Sequence, residues 1–263
     1  MLGFIGCGAM GGAICRGICK SGAAKPSEVG VYDPSKAKTD ALVRETGVRI
    51  FDDCAEMIAK CDMVILAVKP NVVASVLNNY KEDLAGRSVI SIAAGWSAGQ
   101  LQELTDRSTR VLCVMPNTAA MVGEALTAFS RNTTFTDAEC ERAEMLFCSV
   151  GKVEWVEEKQ LNGVIGVSGS GPAYAYMFLQ ALADGGVEAG LTRAQATQMA
   201  AQMMVGAAKM VMETGIHPEA LKDMVCSPGG TTIAAVHALE NAGFRGAVMD
   251  AVSAAAKKAG ELT

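Results

Sequence analysis

Three glycines near the amino terminus have the spacing of a phosphate-binding turn: Gly6, Gly8 and Gly11 form G-x-G-x-x-G within GFIGCGAMG. In such a turn the first glycine permits the tight bend, the second lets backbone approach a pyrophosphate, and the third lets a helix pack closely on a strand. The run Gly6, Cys7, Gly8, Ala9, Met10, Gly11 follows an apolar stretch at 2–5 and opens a segment of helical character. The helix would offer unpaired N–H groups and a partial positive charge to the phosphates. Asp33 lies 22 positions after Gly11, at the end of the next β-rich run. A carboxylate at that place accepts ribose hydroxyls and repels a 2′-phosphate. Ser35, Lys36 and Lys38 follow at once; they could donate to a phosphate or form the solvated start of a helix. The residues point to a dinucleotide and leave the choice between NAD and NADP open.

Positioning such a turn demands a sheet with helices on both faces. The runs 2–5, 29–32, 63–68, 88–93 and 110–115 are apolar at successive positions, as strands covered on both sides must be. Helix-length segments at 9–21, 35–45, 53–61, 71–80 and 97–104 separate them. The alternation predicts an α/β fold with a Rossmann-type, doubly wound, mainly parallel sheet and right-handed crossovers. Strands at 125–129 and 152–156 extend it around a helix at 137–148. Residues 157–263 carry helix signals alone. Pro172 opens a helix to Asp184 that Gly185 and Gly186 break or end, and Thr192 caps a second that lasts to about Glu213. Pro218 and Thr231 open a third and fourth, and 247–258 closes the chain. The predicted division is a dinucleotide-binding domain over 1–156 and an all-helical domain over 157–263. The Thr192 helix is apolar nearly all round, with Met199, Met203, Met204, Val205, Met210 and Met212, which suits either a central core helix or a subunit interface.

The chain has 263 residues, 50 % hydrophobic and 19 % charged, with 28 Gly and 7 Pro, a globular composition long enough to build its own core. A net charge of -5 argues against a nucleic-acid partner, because no long-range positive field recruits phosphodiesters. No basic-flanked signal peptide and no run of ~18 apolar residues is present, so a soluble, cytoplasmic protein without a membrane partner is expected. The nine cysteines, odd in number and without CxxC pairs, read as reduced thiols, and no metal site is expected. His217 and His237 stand in no recognisable pairing with a carboxylate, as a general acid–base catalyst would.

Further short strings follow in order: AVKP (Ala67, Val68, Lys69, Pro70), SIAAG (with Ala93, Ala94, Gly95), MPNT (with Asn117), SGSGPAY from Ser168, and KDMVCSPGGTT ending at Thr232. With GFIGCGAMG they span nearly the whole chain in the order found in the pyrroline-5-carboxylate reductase family, which this sequence resembles. The resemblance implies reduction of 1-pyrroline-5-carboxylate to L-proline by NAD(P)H, the last step of proline biosynthesis. It also implies a Rossmann domain followed by a helical dimerisation domain, and a homodimer with a larger ring such as a decamer as its further assembly. By position in the family, Ala67 to Pro70, Ala93 to Gly95 and Asn117 would line the dinucleotide toward its nicotinamide end. Ser227, Gly229, Gly230, Thr231 and Thr232 would cradle the small-molecule substrate. Where many family members carry a small polar residue after the second strand, this chain has Asp33, which puts the usual NADPH preference in question but not the reaction.

A cyclic imine takes up a proton near neutral pH and becomes an iminium, already a good hydride acceptor, so no strong acid is required. The reaction needs a carboxylate anchor, a donor near the ring nitrogen and a hydride carbon held within about 3 to 3.5 Å of the imine carbon. Gly229 and Gly230 remove side-chain obstruction, and the backbone N–H groups of a turn entering a helix attract a carboxylate. Thr232 would offer its hydroxyl to the ring nitrogen, directly or through water, as the catalytic candidate. The alternative is a glycine turn in which Thr231 or Thr232 merely caps the following helix. A β-hydroxyacid dehydrogenase shares the opening motif and the plan, and Gly166, Gly169 and Gly171 match its GxxGxGxxxK glycines. Ala175, however, stands at the lysine's place. A non-enzymatic dinucleotide sensor is the remaining alternative, and it would have no use for the SPGGTT loop.

Overall fold

Short apolar strands separated by helices wind into one eight-stranded sheet in the computed structural model, which describes residues 1–261. The chain forms two compact units, residues 1–170 with the chain end from Ala254, and residues 171–253. In the first, β1 (Leu2–Ile5), β2 (Val29–Tyr32), β3 (Arg49–Ile50), β4 (Met63–Leu66), β5 (Ser88–Ser91), β6 (Arg110–Met115), β7 (Ala125–Ser130) and β8 (Gly151–Val156) lie in the order β3-β2-β1-β4-β5-β6-β7-β8. Pairing is parallel from β3 through β6 and between β7 and β8, and antiparallel between β6 and β7. Ile5 faces Tyr32 and Leu66, Leu66 faces Ser91, and Ser91 faces Cys113, so β2, β1, β4 and β5 end level with one another while β6 runs two residues further, to Met115.

The intervening helices are α1 (Ala9–Ser21), α2 (Lys36–Thr46), α3 (Cys54–Ala59), α4 (Pro70–Asn79), α5 (Ala98–Leu104), α6 (Asp137–Cys148) and the short α7 (Leu161–Val164). Leu2, Phe4, Val31, Ile14, Ile18 and Phe147 build a core on one face; Ile5, Val64, Leu66, Met57, Val73 and Leu101 build another on the opposite face. Each such side chain contributes about 1.5–3 kcal/mol on burial. Strand β3 has no counterpart in the sequence reading, because its two residues are both exposed. The run 63–68 ends as a strand at Leu66, and 88–93 ends at Ser91.

The second unit holds α8 (Gly171–Glu188), α9 (Arg193–Thr214), α10 (Pro218–Met224), α11 (Thr231–Asn241) and the first part of α12 (Phe244–Gly260). Gly185 and Gly186 neither break nor end α8. A Cβ on Gly186 would stand 2.9 Å from the Ala196 Cβ, so this glycine serves the approach of α9 and not a stop. Thr192 caps α9 in a capping box with Gln195, as its sequence predicts. The core-helix reading of α9 fails within the chain: of its residues only Ala196 and Ala200 are buried. Met199, Met203, Met210 and Met212 are exposed. The units part after Ser170, beyond the 156/157 boundary suggested by the end of the strand signals. Glu158 explains the difference, since its carboxylate accepts from the Ala98 N–H and from Asn132 Nδ2, both at 2.8 Å, tying the chain after β8 back to the sheet. Among the described residues no helix is long and apolar enough to cross a membrane.

Candidate active site

The amino-terminal turn needs glycine at two places for packing and at a third for space. Gly6 has φ +103°, and a Cβ there would stand 2.5 Å from the Ala67 carbonyl oxygen; on Gly11 it would meet the Gly6 carbonyl oxygen at 2.4 Å. On Gly8 it would meet nothing within 4 Å, which is the open side a pyrophosphate requires. Gly8 is also the N-cap of α1, with no side-chain cap and no acidic residue in the first turn, so the helix presents free N–H groups to an anion. These residues fit a dinucleotide. Burial and the neighbouring Asp33 carboxylate push the Cys7 thiol up to about 12, far from the thiolate that reactivity needs.

Asp33 holds this turn together. Its carboxylate is 8 % exposed; Oδ2 accepts from the Cys7 N–H and Oδ1 from the Ser35 N–H, each at 2.9 Å, while Lys38 Nζ lies 3.6 Å away. Its charge is thus partly spent inside the protein. Ser35 is the N-cap of α2 without a side-chain cap bond, so its hydroxyl stays uncommitted, and Lys36 pairs with Asp52 at the surface.

Ala67, Val68 and Lys69 leave the end of β4, and Pro70 begins α4 at the helix's first position, where its missing N–H costs nothing. Ala93, Ala94 and Gly95 leave the end of β5, and Trp96 Nε1 donates to the Pro70 carbonyl at 3.1 Å, joining the two strand ends. A cavity of about 260 Å³ opens here, lined by Ala93, Ala94, Gly95, Met115, Asn162 and Ile165. Asn117, beyond β6, donates from Nδ2 to the carbonyl and hydroxyl oxygens of Ser168 and accepts the Ala119 N–H through Oδ1. Sequence reasoning gave Ser168 and Glu158 no role; Ser168 stood in the quoted SGSGPAY string.

In the helical unit, Ser227, Gly229, Gly230, Thr231 and Thr232 form a turn into α11. Gly229 has φ +67°, and the Gly230 N–H donates to the Ser227 carbonyl at 3.0 Å. A Cβ on Gly230 would lie 2.3 Å from Ser227 Oγ and 3.1 Å from its carbonyl oxygen, so a side chain there would displace the Ser227 hydroxyl. The capping alternative does not describe this turn: Gly230 is the cap, among the described residues no side chain accepts from the first N–H groups, and both threonines lie inside the helix. Among the described residues neither threonine hydroxyl has a hydrogen-bond partner. A cavity of about 530 Å³ beside the turn is lined by Gly229, Gly230, Ile233, His237 and Lys222. Lys222 was another residue given no role by its sequence; it pairs with Glu219 at 2.6 Å. Hydrogen bonds from Lys222 and then Arg245 hold the Glu219 carboxyl down at about 2. His217 Nδ1 caps Glu219 N–H of α10, and His237 Nε2 pairs with Asn241, so both histidines have local structural partners.

A doubly wound sheet with an open glycine turn at its first crossover, followed by a helical half, defines a dinucleotide-dependent oxidoreductase of the Rossmann type. Residues 1–95 match the family described as NADP oxidoreductase, coenzyme F420-dependent, and residues 158–262 match pyrroline-5-carboxylate reductase dimerisation. The pyrroline-5-carboxylate reductase of Escherichia coli is 43 % identical over 263 residues, covering 100 % of this chain and 98 % of its own. The solved structure of a pyrroline-5-carboxylate reductase from Coxiella burnetii superposes with a TM-score of 0.92 at 33 % identity, covering 100 % and 98 % of the two chains. That of Plasmodium falciparum pyrroline carboxylate reductase, with NADP bound, gives 0.90 at 34 % identity, covering 99 % and 97 %. The chain belongs to the pyrroline-5-carboxylate reductase family.

Proposed function

We propose that the protein reduces 1-pyrroline-5-carboxylate to L-proline with NADPH or NADH, closing proline biosynthesis in the cytoplasm. The observation that carries the reading is the uncapped turn at Gly230, which leaves first-turn N–H groups and two threonine hydroxyls for an anionic, nitrogen-bearing ring. Those N–H groups hold the substrate carboxylate, and the Thr232 hydroxyl meets the ring nitrogen, directly or through water. Ser227 and Thr231 flank the anchor, and Gly229 and Gly230 keep it clear of side chains. The free N–H groups at Gly8 and the start of α1 bind the pyrophosphate, and the backbone at Ala67 to Pro70, Ala93 to Gly95 and Asn117 lines the nicotinamide end. The reduced nicotinamide, when bound, supplies the hydride that the imine carbon accepts. The already protonated iminium explains why neither histidine is needed as an acid.

Residues 1–156 serve the dinucleotide and residues 157–263 the substrate and the subunit contact. The protein works as a homodimer, whose second copy covers the exposed methionines of α9, and dimers assemble into a larger ring such as a decamer. Parallel assays with NADPH and NADH, following the loss of reduced-nicotinamide absorbance on adding 1-pyrroline-5-carboxylate, test the reading. Consumption of either cofactor supports it. Reduction of a 2- or 3-oxoacid but not this imine would favour the hydroxyacid dehydrogenase alternative, and inertness to both would favour the sensor.

A further inference from the structure

Beyond the carboxyl end of β6 the side chains of Asn117 and Ser168 form a polar pair whose contacts the proposed chemistry does not use. Asn117 Nδ2 donates to the Ser168 carbonyl at 3.2 Å and to Ser168 Oγ at 3.0 Å, while Oδ1 accepts from the Ala119 N–H at 3.2 Å. In an α-helix the Ser168 carbonyl would accept from the N–H four residues on. That residue is Pro172, which has none. The chain makes a π turn over Ile165–Gly169, in which the Ser170 N–H donates to the Ile165 carbonyl at 2.8 Å. The Asn117 amide stands in for the donor that proline lacks. The Nδ2 amide is then directed at Ser168, whereas the hydrogen of Ser168 Oγ has no acceptor among the described residues. The turn borders the cavity at the strand ends: Ile165 and Met115 line it, and a Cβ on Gly169 would stand 3.4 Å from Met115 Cε. π turns of this kind gather at functional sites.

We propose that Asn117 is a positioning residue that acts through Ser168: it replaces the missing Pro172 donor, fixes the π turn beside the cavity, and so sets the geometry of hydride transfer without donating to the dinucleotide. The inference rests on assigning that cavity to the nicotinamide end.

The proline itself supplies the test. Asn117→Ala removes the substitute donor, and Pro172→Ala restores the original one, so the double variant should recover what the single one loses. In the ligand-free enzyme, amide exchange of Ser170 should rise about tenfold in Asn117→Ala and return to within about threefold of wild type in Asn117→Ala/Pro172→Ala. Turnover should fall about tenfold in the single variant while the NADPH dissociation constant, read by fluorescence titration, moves less than about threefold. Asn117→Asp keeps an acceptor for the Ala119 N–H but loses both donors, and should reproduce these effects in a folded protein. Weakened NADPH binding with unchanged turnover would mean that Asn117 contacts the dinucleotide and would overturn the proposal. So would exchange that Pro172→Ala fails to restore. Because exchange is read without cofactor or substrate, it stands apart from failure of the reaction assignment.

Discussion

The two halves of the molecule dispose of their apolar side chains in opposite ways. In the nucleotide half Phe4, Phe129, Phe147 and Ile65 are fully buried, and Phe129 makes edge contacts with Phe147 and Trp155. Among described residues 171–253, only Ala183, Ala196 and Ala200 are buried, while Met177, Met199, Met212, Met224 and Met249 are each more than half exposed. An apolar surface of this extent marks an association site, and it falls within the stretch that matches the dimerisation family. The nucleotide half therefore completes its own core, whereas the helical half, which carries the proposed substrate turn, leaves an apolar surface that its own chain does not cover. Cofactor binding and catalysis should respond differently to damage in the two places.

The largest effect should come from breaking the assembly. Met203→Glu combined with Met210→Glu should give a monomer by sedimentation velocity and lower turnover by at least about a hundredfold, with NADPH affinity within about threefold of wild type. A fully active monomer would break the comparison. Thr232→Ala should lower kcat by roughly 10- to 100-fold and leave the cofactor dissociation constant unchanged; equal kcat would remove Thr232 from the chemistry. Within the nucleotide half, Gly11→Ala must push a Cβ against backbone and should cost about 1–3 kcal/mol in thermal or denaturant unfolding. Gly8→Ala, facing open space, should leave stability intact and weaken NADPH binding about tenfold.

A smaller effect concerns acid stability. Burial would raise the Glu139 carboxyl, but hydrogen bonds from Arg110, Ser88 and Thr136 outweigh it and hold the group at about 2, below the ordinary 4.5. Because the folded value is depressed, its stabilisation is present above about pH 4.5 and is lost as the pH falls toward 2. Glu139→Gln should cost about 1.5–3 kcal/mol at neutral pH, and the gap to wild type should close across that window in acid unfolding.

The nucleotide half was legible because each demand there is local. A strand, a glycine turn and a helix adjoin in sequence, and the two-sided burial of β1 and β4 shows as unbroken apolar runs. What escaped was set by partners far along the chain. Gly185 and Gly186 look like a helix end until Ala196 is seen against Gly186. Asp33 reads as a ribose ligand, whereas the fold also commits its oxygens to the Cys7 and Ser35 amides. The Asn117–Ser168 pair spans 51 positions, and its one sequence signal, a proline four residues after a serine, means little until the strand end brings the amide to it. The antiparallel β7 depends on a turn after Asn117 that no hydrophobic period reports. At 227–232 the glycines predicted the turn, but residue types alone could not separate a threonine cap from a glycine cap.

The central claim is that backbone amides at the start of α11 hold the substrate carboxylate for reduction. A crystal structure of the assembled enzyme with NADP and L-proline tests it most directly. The account predicts the proline carboxylate on the N–H groups following Gly230, with its ring nitrogen toward the Thr232 hydroxyl and its C5 facing the nicotinamide. Proline bound elsewhere, with residues 227–232 facing bulk water, would contradict it.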